Sequence, residues 1–433
     1  MLSALRSVLP DTACFDRGLA IGGCDVSELA ARYGTPLYLY CAATLRRSAR
    51  DALAAFGPLG VRVSFAAKAC ALPGVMRIFA DEGLGLDAVS AGEMEAGLRA
   101  AFPPDRIHLH GNVKSDQELE QAVRLGLHAV VLDNREEIVR LASIVARESV
   151  TVRVTLRLNL PLEARTHPHL QTTGARSKFG IPVGSEDEVA VGATLRAAPR
   201  LCLTGLHTHL GSQISDAELY ETTVEEMRRQ GVRYRDGGFP IEEITVGGGW
   251  AEAYAPGDER LPMGRVAAVI GAAIPGADFR WGVEPGRALV ARAGIAVYRV
   301  GAVKRISGRR LVAVDGGMGD NPRPALYGAR YTGFIVGKED AAPEGPATVV
   351  GRYCESGDIL VHDVALPAVQ AGDLLAVPMS GAYQLSMASA YNLVPPPAAV
   401  LVDAGRAQLI RRRLTTQEIL AADLLGNDAG PAG

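Results

Sequence analysis

Short apolar runs in the first two thirds of the chain deliver polar side chains at their ends. VSFAAKAC, residues 63–70, closes by placing Lys68 among small apolar residues. Lysine is almost never fully buried without a partner, so this amine either reaches water from a strand end or is engaged by another group. Other runs close in the same manner: GLGLDAVS with Asp87 and Ser90, RIHLHGN with His110 and Asn112, TVRVTLRLN with Arg157 and Asn159, GLHTHLG with His207 and His209, and FRWGVEPGR with Glu284 and Arg287. An amine, carboxylates and imidazoles form a set able to condense with a carbonyl and to move protons. The run EITVGGG ends instead in Gly247, Gly248 and Gly249, and residues without Cβ let backbone N–H groups approach an anion closely.

The elements that must position these groups are legible in the spacing. Eight candidate strands lie between residues 61 and 285: VRVSFAA, GLGLDAV, RIHLHG, AVVLDN, TVRVTLRLN, LCLTGLHTHLG, EITVGGG and FRWGVEP. The first five begin near 61, 84, 106, 128 and 151, steps of 22 or 23 residues that suit repeated βα units. Eight such units predict a (β/α)8 TIM-like barrel, whose chemistry sits at the C-terminal ends of its strands. The helices SAGEMEAGLRAAF and SDQELEQAVRLG each open on a serine suited to N-capping. After Gly294 the texture becomes strand and turn: GIAVYRVGAVKRISGRRLVAVDGG reads as a hairpin around Ser-Gly and AAVLVDAGRAQLIRRRL as one around Asp-Ala-Gly. The expected organisation is an α/β barrel over 42–293 and a C-terminal β-rich, sandwich- or barrel-like domain over 294–423. A segment of residues 1–41 packs with the β domain, although its PLYLY strand suits either, and a flexible tail covers 424–433.

Composition narrows the function classes. The 433 residues carry 45 basic and 48 acidic side chains, a net charge of -3, with no basic block to follow a phosphate backbone, so nucleic acid is not an expected partner. No apolar run is long enough to span a bilayer, and MLSALRSVLPDTACFDRG does not read as a signal peptide. Cys14, Cys24, Cys41, Cys70, Cys202 and Cys354 are scattered without a CxxC pair or a nearby histidine cluster. Reduced thiols in a cytoplasm, and no metal centre, are the expectation.

The loops after strands seven and eight are the habitual phosphate site of a barrel, and here they supply the three glycines and Arg287. A ligand with an aldehyde, a phosphate and a basic ring nitrogen would use that loop together with a lysine and a carboxylate. Pyridoxal 5'-phosphate (PLP) has all three groups. Lys68 would form the Schiff base, Glu284 would keep the ring nitrogen protonated, and either His207 or His209 could lie against the ring.

These residues resemble the fold type III, barrel-type PLP-dependent decarboxylases, and within them the diaminopimelate decarboxylase family. The motifs stand in order along nearly the whole chain: FAAKA, GLDAVSAGE, IHLHGNVKS, SKFGI, GLHTHLGSQ, TVGGGW, EPGR, DNPRPALYGARY, CESGD and GAYQLSMAS. The resemblance implies that Lys68 anchors the cofactor, that His209 stacks on its ring, and that Ser212, Gly248 and the Glu284–Arg287 stretch with Gly286 bind phosphate and ring. Asp87, Gly247 and Gly249 complete the expected cofactor set. Arg287, Arg323 and Tyr327 are implied substrate contacts with Glu355 beside them, Cys354 the proton donor, and Tyr383 a contact to both cofactor and substrate. The family reaction converts meso-2,6-diaminopimelate to L-lysine and CO2, in an active site shared across a homodimer with the CESGD segment entering from the partner subunit. Cys70, Val113 and Trp250 depart from the family pattern near the cofactor. The segment 161–181, PLEARTHPHLQTTGARSKFGI in the main, resembles the region where substrate choice varies among sister decarboxylases of ornithine, lysine, arginine or a carboxylated polyamine. Alanine racemase shares the barrel and the lysine but not CESGD or SKFGI. A cofactor-binding homologue without turnover, and a barrel that binds phosphorylated sugars, are readings from other classes. The latter predicts no Schiff base.

Overall fold

A computed structural model describes residues 5–16, 18–162, 172–174, 177–274, 276 and 278–424. Most of the variable segment at 163–176 and all of the tail after Leu424 lie outside the described residues. The chain divides into two compact units. One comprises Leu45–Ala253 and Asp258–Val290, the other Met1–Thr44, Tyr254–Gly257 and Ala291–Gly433.

The first unit is a closed parallel barrel. With β1 reserved for Leu37–Cys41, its strands are β2 (Val61–Ala66), β3 (Gly85–Ala88), β4 (Ile107–Leu109), β5 (Ala129–Leu132), β6 (Val152–Asn159), β7 (Leu201–His207), β8 (Glu243–Thr245) and β9 (Arg280–Val283). They hydrogen-bond in the order β7-β8-β9-β2-β3-β4-β5-β6, and β6 pairs with β7 to close the ring. All eight coincide with the apolar runs. Strands covered on both faces read as near-continuous hydrophobic stretches, and β3 and β5 are buried at every position.

Helices between the strands start where side chains can satisfy the free N–H groups of the first turn. Ser90 accepts from the Glu93 N–H ahead of α2 (Ala91–Arg99), counting Ala42–Phe56 as α1, and Ser115 and Glu118 form a reciprocal capping box at α3 (Asp116–Leu125). In α4 (Arg135–Arg147), Ile138, Leu141, Ile144 and Val145 form the buried stripe.

The second unit is built on a sheet of strands β10 (Gly294–Ile306), β11 (Arg309–Val314), β12 (Gly345–Val350), β13 (Ile359–Leu366), β14 (Leu374–Val377), β15 (Ala398–Asp403) and β16 (Arg406–Arg411) together with β1. Its main order is β13-β12-β11-β10-β1-β15-β16, with β14 on β10. Both hairpins read from the sequence are present as antiparallel pairs, β10–β11 and β15–β16. The PLYLY strand lies in this sheet, antiparallel to β10 and parallel to β15. No helix of the described residues is long and apolar enough to cross a membrane.

Candidate active site

The C-terminal ends of the barrel strands converge on a cavity of about 320 Å³ whose walls include Lys68, Asp87, His110, Arg157, His207, His209 and Glu284. That volume falls in the range of small-molecule sites. Lys68 does not close its strand: β2 stops at Ala66, and the lysine sits on the following single turn, Ala67–Ala69. The turn carries the side chain out of the packed wall. Ala67 and Ala69 are buried whereas Lys68 is exposed, which resolves the opening alternatives in favour of an amine presented to an open cavity.

Glu284, directly after β9, is held between two imidazoles. His207 Nε2 lies 2.9 Å from one carboxylate oxygen and His110 Nε2 3.5 Å from the other. Burial favours the neutral acid, but the two histidines outweigh it and hold the Glu284 carboxyl well below the usual carboxylate range. Burial also brings the His110 imidazole down to about 4, so this ring faces Glu284 uncharged at neutral pH. Asp87 behaves in the opposite way. Burial, followed by the charge of Glu284, pushes its carboxyl well above the ordinary range, and neither of its oxygens has a hydrogen-bond partner in the protein. Burial, with the Lys68 amine as the next cause, keeps the His209 imidazole neutral.

The glycine loop after β8 is packed against this cluster. A Cβ on Gly247, whose φ is +71°, would stand 2.4 Å from His209 Nδ1, and one on Gly248 would stand 2.3 Å from the Glu284 carbonyl oxygen. Only glycines let this loop lie so close to both strand ends. The Tyr220 hydroxyl donates to the Gly248 carbonyl at 2.9 Å, and the Gly248 N–H points to His209 Nδ1 at 3.4 Å. Beyond Gly286, Arg287 opens a short helix and donates to Ser212 Oγ at 2.9 Å, joining the loops after β7 and β9.

Five further sequence-derived residues belong to the β-rich unit. Arg323 is 3% exposed and is ringed by Tyr254, Tyr327 and Tyr383, whose ring centroids lie 5.8, 5.2 and 5.6 Å from its guanidinium carbon. Cys354 is exposed, with its N–H donating to Asn392 Oδ1 at 3.1 Å, and the adjacent Glu355 accepts from the Tyr391 hydroxyl.

Comparison with known proteins places this geometry. Residues 42–291 match the family model described as "Pyridoxal-dependent decarboxylase, pyridoxal binding domain". The chain is 43% identical over 421 residues to the diaminopimelate decarboxylase of Actinosynnema pretiosum subsp. auranticum, covering 94% of this chain and 93% of that one. It is 39% identical over 425 residues to that of Mycobacterium tuberculosis, covering 94% and 95%. The chain belongs to the diaminopimelate decarboxylase family. A crystal structure of the Helicobacter pylori diaminopimelate decarboxylase complexed with L-lysine superposes with a TM-score of 0.86 at 29% identity, over 92% of this chain and 99% of that one.

The site fits the cofactor that the family model names. A cavity holding an open lysine amine, an anionic carboxylate and a buried Asp87 without a protein partner presents polar groups that a ligand would satisfy. Two groups of His, His and Glu among the described residues also have donor spacing compatible with a cation, His110/His207/Glu284 and His108/His128/Glu243. In the second, the Arg62 guanidinium already stands 3.1 Å from nitrogens of both histidines. The sequence pattern brings His110 and Arg157 to strand ends and marks SKFGI as a motif without giving any of them a specific role, and His110, Arg157, Lys178 and Phe179 all line the cavity. The two-residue spacing of His108 and His110, which turns both toward the barrel interior, was the available signal. The family departures are mild in place: Trp250 is buried beside Phe56 and Tyr220, Cys70 is buried, and Val113 is 81% exposed at the cavity rim.

Proposed function

We propose that the protein catalyses the PLP-dependent decarboxylation of meso-2,6-diaminopimelate to L-lysine and CO2, the last step of lysine biosynthesis. The observation that carries the choice of substrate is Arg323. Its guanidinium is buried, its Nε has no hydrogen-bond partner, and no carboxylate of the described residues forms an ion pair with it. A buried cation without a counter-charge is costly, by several kcal/mol, so a ligand carboxylate is its natural complement. Diaminopimelate carries a carboxylate at each end, whereas ornithine ends in an ammonium. The L-lysine bound in the Helicobacter pylori relative is the product expected here.

Bound PLP supplies an aldehyde that captures a primary amine and a ring that withdraws electrons from the carbon losing CO2. The chain's own groups do the rest. Lys68 offers the anchoring amine, and Glu284, kept ionised by His207 and His110, holds a proton on the ring nitrogen. His209, which lines the same cavity, would lie against the ring. Asp87, Ser212, Gly247, Gly248, Gly249, Gly286, Arg287 and Tyr383 would hold the remaining cofactor groups. Arg323, with Arg287, Tyr327 and Tyr383, orients the substrate, and Glu355 pairs with its distal ammonium. Cys354 Sγ returns a proton to the carbon that has lost CO2. Its exposure suits a thiol that completes the site of a second copy, so we read the working enzyme as a homodimer with shared active sites. The six free thiols suit a cytoplasmic setting.

The test is L-lysine and CO2 formation by purified protein with PLP, offered meso-diaminopimelate or L-ornithine. Lysine from diaminopimelate alone, abolished by Lys68→Ala, is the expected result, and preferential turnover of ornithine would favour a sister decarboxylase. Arg323→Lys turns a bidentate clamp into a point charge and is expected to cost about 2 to 3 kcal/mol in kcat/KM.

A further inference from the structure

Two of the proposed substrate-orienting segments, the Arg323 turn and the Tyr383 loop, hang from one buried polar hub in the β-rich unit. Asp320, 1% exposed, accepts from the Tyr298 hydroxyl at 2.6 Å and from the Gly317 N–H at 2.9 Å. The Tyr38 hydroxyl lies 3.1 Å from Asp320 Oδ2 and 2.8 Å from Gln384 Oε1. Asp320 is three residues before Arg323, and Gln384 directly follows Tyr383. Tyr38 comes from β1, so a strand near the start of the chain joins segments 63 residues apart, at 320–323 and 383–384.

The hub has no slack. A Cβ on Gly316 would stand 2.3 Å from the Tyr298 ring, and one on Gly319 would stand 2.3 Å from the Tyr353 ring. From the other side, Asp358 accepts the N–H groups of Met318 at 2.6 Å and Tyr353 at 2.8 Å, which ties the Cys354 loop to the same turn. Tyr383 itself is held at a φ of +57°, a conformation that its neighbours must enforce.

We infer that Asp320, through Tyr38 and Gln384, is a positioning residue that sets Arg323 and Tyr383 in register for the substrate carboxylate without touching substrate or cofactor itself. This inference rests on the functional reading above. Hydrogen-bonded networks of this kind act as units, so loosening one member displaces both arms together.

The experiment compares wild type with Tyr38→Phe, which removes only a hydroxyl, and Asp320→Asn, which is nearly isosteric. Each is expected to raise KM for meso-diaminopimelate roughly tenfold while kcat changes less than about threefold, with PLP affinity by absorbance titration falling less than about threefold, since Tyr383 is one of many cofactor contacts. Hydrogen–deuterium exchange should accelerate together in residues 317–327 and 382–387 and stay unchanged in the barrel. Unchanged KM, a loss falling equally on cofactor affinity, or loosening of one segment alone would overturn the inference. The exchange arm needs no substrate. If the wild type fails to turn over diaminopimelate, the functional reading falls while exchange still decides whether the two segments are coupled.

Discussion

Among its described residues the barrel holds two clusters of one glutamate and two histidines, one at each end of its strands, and only one of them opens onto the cavity. At the C-terminal end, Glu284 sits between His207 and His110 beside an open lysine and a cavity. At the N-terminal end, Glu243 meets His128 at 3.0 Å, and Arg62 fills the space between His128, His108 and the carboxylate. The lower cluster is internally neutralised by its own cation. The upper cluster leaves both Asp87 oxygens without a hydrogen-bond partner in the protein, groups that a ligand would satisfy. Residue type therefore does not distinguish a site from a structural plug. The distinction lies in whether the carboxylate already holds a cation: Glu243 has Arg62, whereas Glu284 and Asp87 face an open cavity.

Exchanging each glutamate for glutamine should separate the two roles. Glu284→Gln removes the charge proposed to keep the cofactor ring nitrogen protonated, and kcat for lysine formation is expected to fall by at least about 100-fold with little change in melting temperature. A variant with near-normal turnover would end the contrast. Glu243→Gln should do the reverse. Burial disfavours the Glu243 carboxylate, but His128 and Arg62 outweigh it and bring the group down to about 2. Because this lies below the ordinary value of about 4.3, the pair's stabilisation is present above that pH and is lost as pH falls through about 2. The expected destabilisation is about 3 kcal/mol at neutral pH, shrinking toward pH 2, with kcat nearly unchanged. Denaturant melts at several pH values would show it, and a pH-independent difference would argue against an ionic origin.

Much of this arrangement was legible in the sequence, for physical reasons that also mark its limits. The barrel strands announced themselves because parallel strands buried on both faces must be apolar runs, and helix starts showed in Ser90 and Ser115 because local capping needs only neighbours in sequence. Lys68, Asp87, His209 and Glu284 could be singled out because the strand-end rule says where to look, and the fold brings all four to the wall of one cavity. The position of β1 between β10 and β15 was not legible, since pairing residue 37 with residues 297 and 398 is a long-range choice that no local pattern encodes. The lower cluster was missed for a related reason. Glu243, His128 and Arg62 come from three separate strand starts, and only the closed ring shows that they meet.

The smallest expected effect bears on whether the two ends are independent. Asp87 lies between them, with its Oδ1 3.8 Å from His108 Nδ1 below and 3.9 Å from His110 Nε2 above, both beyond hydrogen-bonding range. Arg62 donates to His108 Nε2, which makes that nitrogen the acceptor and puts the ring proton on Nδ1, the atom facing Asp87. Arg62→Lys replaces a fork that reaches two imidazoles with a single ammonium that can reach one, at a cost of about 1 kcal/mol in stability. If the gap at Asp87 insulates the ends, the pH dependence and size of kcat should match wild type within about threefold. A tenfold fall in kcat, or a displaced acid limb in its pH profile, would mean that the His108 proton reaches Asp87 in the working enzyme. The lower cluster would then be part of the machinery rather than its support.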